Sequence, residues 1–420
     1  MKHTQVALWA ILSIAAIWAA VSYQRGHPSP ETVCHASTSQ HVPLRIDGLQ
    51  DISSMGALDV FSIFALTEDR KVMTWAPGDN CHPPIEKTLV PDAKVSEASM
   101  FASGYHQRMV LAPDGSVWGM VDVGAQYFHQ LGSGQSGEVK VVGLHDIASV
   151  VSGGNHSLAL QSEGTVWAWG ANDCGQSARS SDPRMPDTAP AAQVLLPGRA
   201  VAVAAGYRHS LSLLGDGSVW QWGNLTNPMF HANVGNQPVA SFRYCGELQL
   251  PQATQALGDA HSSPIQVPGL HDIKAIATRY THNLALAQDG SVWGWGFNDC
   301  GQAGPGRPSP VDGTTPPERI PGLADAVAIA AGRRHSLALT ADGSVWTWGN
   351  NDQDQLGRDS AGLSFDERCM TRTRAPLRSA FSITPHRVAG LPPIKAIAAG
   401  DNLSLALDRQ GHIWYWGQLP

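Results

Sequence analysis

The segment Ile329–Gly349 reads IAAGRRHSLALTADGSVWTWG, and its turn chemistry and alternation describe most of one structural unit. Ser336 to Thr340 alternates polar and apolar residues, Ala341-Asp342-Gly343 turns the chain, and Val345 to Trp348 returns. Asp-Gly between two such runs is a strong hairpin signal, because glycine accepts positive φ without steric penalty. Ahead of the hairpin an alanine-rich run ends in Ala330-Ala331-Gly332. Residues this small suit an inner strand that its neighbours crowd.

The unit recurs. Matching stretches begin at Val203 (VAAGYRHSLSLLGDGSVWQWG), Val151 (VSGGNHSLALQSEGTVWAWG), Ile276 (IATRYTHNLALAQDGSVWGWG), Ile397 (IAAGDNLSLALDRQGHIWYWG) and Phe101 (FASGYHQRMVLAPDGSVWGM), with a decayed copy, SIFALTEDRKVMTWA, from Ser62. Most units follow a P-x-x-V/I element and Gly-Leu, as at Pro268-Gly269-Leu270, Pro321-Gly322-Leu323 and Val388-Ala389-Gly390-Leu391. This element supplies an outer strand, where proline is tolerated because an edge need not donate every ladder bond. Four strands per unit, seven units and no helical period predict an all-β, seven-bladed β-propeller of four-stranded antiparallel blades. The last unit ends in Ile413–Gly417 without an outer strand, whereas His41–Ile46 (HVPLRI), before Gly48-Leu49, matches the outer element. The N-terminal strand is therefore expected to complete the last blade and close the ring, leaving no open edge. The propeller would span 41–420, with insertions near 224–263 and 358–385.

Charged residues make up only 15% of the chain, below the roughly 25% usual for globular domains, whereas Gly (43) and Trp (14) are abundant. The net charge of -7 and the lack of a basic run exclude a phosphate-tracking surface, so no nucleic-acid partner is expected. Val6 to Val21 is apolar apart from one Ser, follows Lys2 and precedes polar Ser22 to Arg25. Residues 1–25 thus read as a signal peptide or a single-span N-terminal membrane anchor formed by residues 6–21, and 26–40 as a linker. Cleaved and anchored forms both fit. The propeller is expected outside the cytoplasm, periplasmic or secreted. Six cysteines suit that oxidising compartment.

The units resemble the repeats of the regulator of chromosome condensation family, whose pattern runs a-a-G-x-x-H-s-l-a-l, then d-G-x-v-y-x-W-G, then G-q-L-G. Gln355-Leu356-Gly357 and Gly175-Gln176 carry the last part, and Gly301-Gln302-Ala303-Gly304 is a softened copy. The resemblance covers the chain after about residue 40 and implies the propeller fold. It does not imply one function, because the family includes a nuclear exchange factor, a plant ultraviolet photoreceptor and secreted bacterial inhibitors of β-lactamases. An exported chain does not meet a nuclear GTPase, and the photoreceptor's G-W-R-H-T motif is absent. The extracytoplasmic, bacterial-type binders are the nearest analogy.

Recurring His156, His209, His282 and His335 form a ring by symmetry, with Gln107, Ser62 and Leu403 at the equivalent places of other units. Equivalent positions in separate blades lie too far apart for one ion's roughly 2 Å bonds, so each His is expected to be hydrogen-bonded at the start of its second strand, and no metal or cofactor is assigned. The pairs Trp167/Trp169, Trp220/Trp222, Trp293/Trp295, Trp346/Trp348 and Trp414/Trp416 share strand faces and are expected to pack between blades. Asn350-x-Asp352-x-Asp354 resembles a calcium loop, but its glycine comes late, at Gly357. No G-x-S-x-G, H-E-x-x-H, Walker loop or C-x-x-C occurs, so an enzyme is not expected. Cys174 and Cys300 end the same Asn-Asp-Cys loop, and Cys245 and Cys369 lie in the insertions that follow the next units. Adjacent blades bring these loops to one face, which predicts Cys174–Cys245 and Cys300–Cys369, and by elimination Cys34–Cys81, among about fifteen connectivities.

Strands running alternately up and down put the loops after Ala-Ala-Gly and after Trp-Gly on one face, and the Asp-Gly hairpins on the other. The first face carries Tyr105, Asn155, Tyr207, Arg208, Arg279, Tyr280, Arg333, Arg334, Asp401 and Asn402, together with both insertions. Tyr and Arg dominate binding hot spots, while an Arg can equally bridge neighbouring blades. The expectation is a monomeric, extracytoplasmic propeller that binds an unknown protein of the cell envelope on this face. The alternatives are a carbohydrate- or cell-wall-binding propeller, marked by exposed parallel aromatics, and an enzyme, marked by acids and a His in the axial channel.

Overall fold

The structure, a computed structural model, describes residues 40–47, 49, 51–57, 63–76, 85–88, 97–104, 108–121, 137–179, 189–225, 261–306, 314–366, 369 and 379–418. Among these residues there is no helix, and the strands form seven antiparallel sheets, one for each sequence unit. The inner strands of blades 1 to 7 are Ile52–Ala57, Met100–Ser103, Ile147–Ser152, Ala200–Ala205, Ile273–Thr278, Ala326–Ala331 and Ile394–Ala399. Blade 6 shows the pattern: Ala326–Ala331 pairs with His335–Thr340, which pairs with Val345–Asn350, which pairs with the outer Ser379–Arg387. Proline sits in the outer strands, as Pro264 in His261–Gln266 and Pro316 in Thr314–Arg319 show. Ile52–Ala57 lies against Ile394–Ala399, so blades 1 and 7 are neighbours. Blade 7 takes Gln40–Arg45 as its outer strand, with Leu44 opposite Tyr415 and Arg45 opposite Trp414.

One element was not anticipated. Ser364–Asp366 pairs with the start of Ser379–Arg387, with Phe365 opposite Ala380, giving blade 6 a fifth strand. The insertion expected to run to 385 therefore ends earlier, because the outer strand already begins at Ser379. Asp352 fixes this return: its carboxylate accepts from Ser379 Oγ at 2.6 Å and from the Ala380 amide at 2.9 Å. The calcium-like triplet is thus hydrogen-bonded within the fold, since Asn350 Oδ1 also accepts from Gln355 Nε2 at 2.7 Å.

The repeated motif encodes contact between blades. Trp222, Trp295, Trp348 and Trp416 are fully buried against the preceding blade, where Trp348 meets Leu284 and Leu286 and Trp295 meets Leu211 and Leu213. Burying a Trp removes on the order of 200 Å² from water, about 5 kcal/mol at 25 cal/mol/Å². The indole N–H then needs an acceptor, and the G-q-L-G turn of the preceding blade supplies one. Trp222 Nε1 donates to the Gln176 carbonyl at 2.9 Å, Trp348 to Gln302 at 3.0 Å and Trp416 to Gln355 at 3.0 Å.

The same carbonyls accept from Ser210, Ser336 and Ser404 at 3.0, 2.8 and 2.8 Å. These hydroxyl protons are therefore committed, so each serine receives a bond from the histidine of the blade before it. His156 reaches Ser210 at 2.8 Å, His282 reaches Ser336 at 2.9 Å and His335 reaches Ser404 at 3.0 Å, all through Nε2. These imidazoles are neutral Nε2–H tautomers, because the serine has only a lone pair left to offer. At His209 the side-chain amide of Asn283 takes the place of the serine, at 2.7 Å.

Candidate functional site

The inner-to-second-strand loops meet around the axis on one face. Backbone bonds join them from blade to blade: Gly154 N to Gly206 O at 3.1 Å, Tyr207 N to Tyr280 O at 2.7 Å and Arg333 N to Asp401 O at 3.3 Å. At the first position of the loop, Gly153, Gly206, Gly332 and Gly400 carry no side chain, and blade 5 places Arg279 there instead. A Cβ on Gly206 would lie 2.1 Å from His209 Cε1, so the glycine is required by the buried imidazole behind it.

Tyr207 and Tyr280 pack with ring centroids 5.0 Å apart and planes tilted by 43°. Arg208 lies over Tyr207 at 5.7 Å, and Arg333 over Tyr280 at 5.0 Å, giving a continuous cation–aromatic run across blades 4 to 6. Tyr280 is buried and Tyr207 half-buried, and burial pushes the Tyr207 phenol up, with Tyr280 adding to the shift. Arg279 Nε donates to Asp401 Oδ1 at 3.3 Å, spanning blade 6 to reach blade 7. Further out, Arg208 pairs with Asp173 at 3.9 Å and Arg334 with Asp299 at 3.3 Å, each tying one blade to the Asn-Asp-Cys turn of the blade before. Burial pushes the Asp299 carboxyl up, opposed by the adjacent Arg334 guanidinium. Gln302 Nε2 holds Asp299 Oδ1 at 3.0 Å, and Gln176 holds Asp173 at 2.7 Å.

Of the ten candidate binding residues, nine lie among the described residues; Tyr105 lies outside them. Asn155 and Asn402 sit half-buried in the same loops. Arg208, Arg279 and Arg334 each bridge blades, so the bridging role weighed against the hot-spot role is present at all three. Sequence reasoning missed the partners Asp173 and Asp299. Their signal was available, since Asp173, Cys174 and Arg208 recur 126 residues later as Asp299, Cys300 and Arg334. Cys300 and Cys369 are disulfide-bonded and buried, and Asn350 Nδ2 contacts the Cys369 sulfur at 3.1 Å. Cys174 is also in a disulfide; Cys34, Cys81 and Cys245 lie outside the described residues.

The axial channel has different chemistry. The seven inner strands contain no carboxylate, imidazole or thiol, and their only charged residues are Lys274 and Lys395. The recurring histidines lie between blades, where burial lowers them from 6.5 to about 3 at His156, His282 and His335 and about 4 at His209. The five tryptophan pairs from Trp167/Trp169 to Trp414/Trp416 belong to the clusters between blades, and the large hydrophobics exposed among the described residues are all aliphatic, such as Val42 and Leu195. Among the described residues no group of three or more His, Cys, Asp or Glu could hold a metal ion. No helix among them is long and apolar enough to cross a membrane, and residues 6–21 lie outside them.

A family model described as the RCC1-like domain matches residues 123–419. The mitochondrial RCC1 domain-containing protein RUG3 of Arabidopsis thaliana is 27% identical over 326 residues, covering 74% of this chain and 63% of RUG3. The Ultraviolet-B receptor UVR8 of the same plant is 29% identical over 280 residues, covering 57% of this chain and 61% of UVR8. The chain thus spans less than two thirds of the length of both. Among solved structures, Prp20p from Saccharomyces cerevisiae aligns with a TM-score of 0.62 at 19% identity, covering 88% of this chain and 83% of that one, a likeness of fold.

Proposed function

The chain belongs to the RCC1-like domain family, and from that premise we propose that it is an extracytoplasmic protein-binding propeller, an interaction scaffold or inhibitor-like binder. Its docking face is the one built by the loops after the inner strands and after the Trp-Gly strands. The observation that carries this reading is the run Arg208, Tyr207, Tyr280 and Arg333, held in place by ring contacts and by loop-to-loop backbone bonds. Large side chains already fixed in the free protein lose little conformational freedom on binding, which is the condition under which Tyr and Arg become hot spots.

Protein recognition also agrees with the names of the relatives, which include a receptor and, for Prp20p, binding to Gsp1p and histones. The carbohydrate alternative needs an exposed aromatic platform, whereas the described tryptophans pack between blades. The enzyme alternative needs acids in the channel, and the inner strands carry none. An extracytoplasmic location is supported by the apolar stretch from Val6 to Val21 and by the Cys300–Cys369 disulfide, a bond that persists in oxidising compartments. Affinity capture from a cell-envelope fraction tests the face: Tyr207→Ala with Arg333→Ala should lose the partner, and Arg199→Ala on the hairpin face should keep it. Retention by the double variant would remove the assignment.

A further inference from the structure

Arg279 stands where five other blades have glycine, Gly104, Gly153, Gly206, Gly332 and Gly400. Its side chain reaches past blade 6 to Asp401 of blade 7. The guanidinium therefore lies beyond its own blade, among the loops of blades 5 to 7. Beside it, Arg333 rests on Tyr280 and its backbone amide donates to the Asp401 carbonyl, so both arginines converge on the same loop. Asp401 is the only carboxylate in the five inner-to-second-strand loops of blades 3 to 7, against four arginines. The acids that pair with Arg208 and Arg334 approach instead from the outer turns.

We propose that Arg279 is the specificity anchor of the docking face, and that the partner presents an acidic side chain that enters among the loops of blades 5 to 7 and replaces Asp401 on the Arg279 guanidinium. This rests on the protein-binding reading of the same face. The carboxylate of Asp401 occupies the anchor in the free protein, holds Arg279 among these loops and competes with the incoming acid. The exchange keeps Arg279 paired, and its cost is the unpairing of the buried Asp401 carboxylate, so the competition between the two acids sets the affinity. Arginine suits this role because its planar fork meets a carboxylate with fixed geometry.

A fluorescent deca-glutamate peptide, with deca-lysine as control, tests the proposal on the intact chain by anisotropy. Deca-glutamate should bind the wild type and weaken with added salt. Arg279→Gln should weaken it at least tenfold, and Asp401→Asn, by removing the competitor, should tighten it about fivefold. Circular dichroism and a melting curve establish folding, and should Arg279→Gln unfold, Asp401→Asn and the charge-retaining Arg279→Lys decide. Unchanged binding in Arg279→Gln, weaker binding in Asp401→Asn, or equal binding of deca-lysine would overturn the proposal. A captured partner that still binds Arg279→Gln but is lost with Tyr207→Ala and Arg333→Ala would sink the anchor and leave the docking face standing.

Discussion

Lowering the pH from 7.5 to 5.0 should destabilise this propeller steeply, through its four interblade histidines. In the fold each of His156, His282 and His335 spends its single N–H on a serine, and Nδ1 of all four is buried without a hydrogen-bond partner. Burial disfavours the charged ring, and at His156, His282 and His335 a second proton would sit on that Nδ1 with nothing to accept it, which lowers them from 6.5 to about 3, and burial lowers His209 to about 4. Because the folded values are depressed, the unfolded chain binds more protons between 6.5 and about 3. The stabilisation is therefore complete above 6.5 and is lost as the pH falls. At pH 5 each histidine costs about 2 kcal/mol, and four cost about 8 kcal/mol, against a typical total stability of about 5–15 kcal/mol. Hairpin carboxylates such as Asp342, held low by bonds from Thr340 and Ser344, act only below their ordinary 3.8, whereas the buried Asp299, pushed up, opposes the histidines by favouring the fold as the pH falls. Urea denaturation at pH 7.5, 6.5, 5.5 and 5.0 gives the slope, which should approach about 1.4 kcal/mol per pH unit for each histidine. His282→Gln, which keeps a donor for Ser336, should remove about one quarter of it. A stability that is flat from pH 7.5 to 5.0, or a slope unchanged in His282→Gln, would refute the reasoning.

Gly206→Ala should lower the urea midpoint by the equivalent of about 2–5 kcal/mol, since its methyl group displaces the His209 ring from Asn283. Gly269→Ala has open space but a φ of +78°, so the same measurement should show only about 1–2 kcal/mol. Cys369→Ser opens a link between residues 69 apart in sequence and should cost up to about 4 kcal/mol, read as a lower midpoint and faster tryptic cleavage between Arg358 and Arg387.

The propeller was legible because its information is repeated. Asp342-Gly343 and its copies mark hairpins by turn chemistry alone, and the spacing of Trp346 and Trp348 marks a strand with one face against a neighbour. What could not be read is what each repeat touches across the blade boundary. The histidine at the start of the second strand is expected to be hydrogen-bonded, and its partner proved to be the serine or asparagine of the next blade, 54 to 74 residues away. The arginines of the docking face divided the same way: residue type told hot spot and brace apart at none of them, and the distances paired them with Asp173, Asp299 and Asp401. The fifth strand Ser364–Asp366 escaped notice because three residues carry no usable alternation, and its pairing is set by Asp352 holding Ser379 and Ala380.

The most direct test of the docking face is hydrogen–deuterium exchange on the protein with its captured partner bound. Protection should appear in the loops 153–155, 206–208, 279–281, 332–334 and 400–402, with the hairpins around Asp216, Asp289 and Asp342 unchanged. Protection confined to those hairpins would contradict the account.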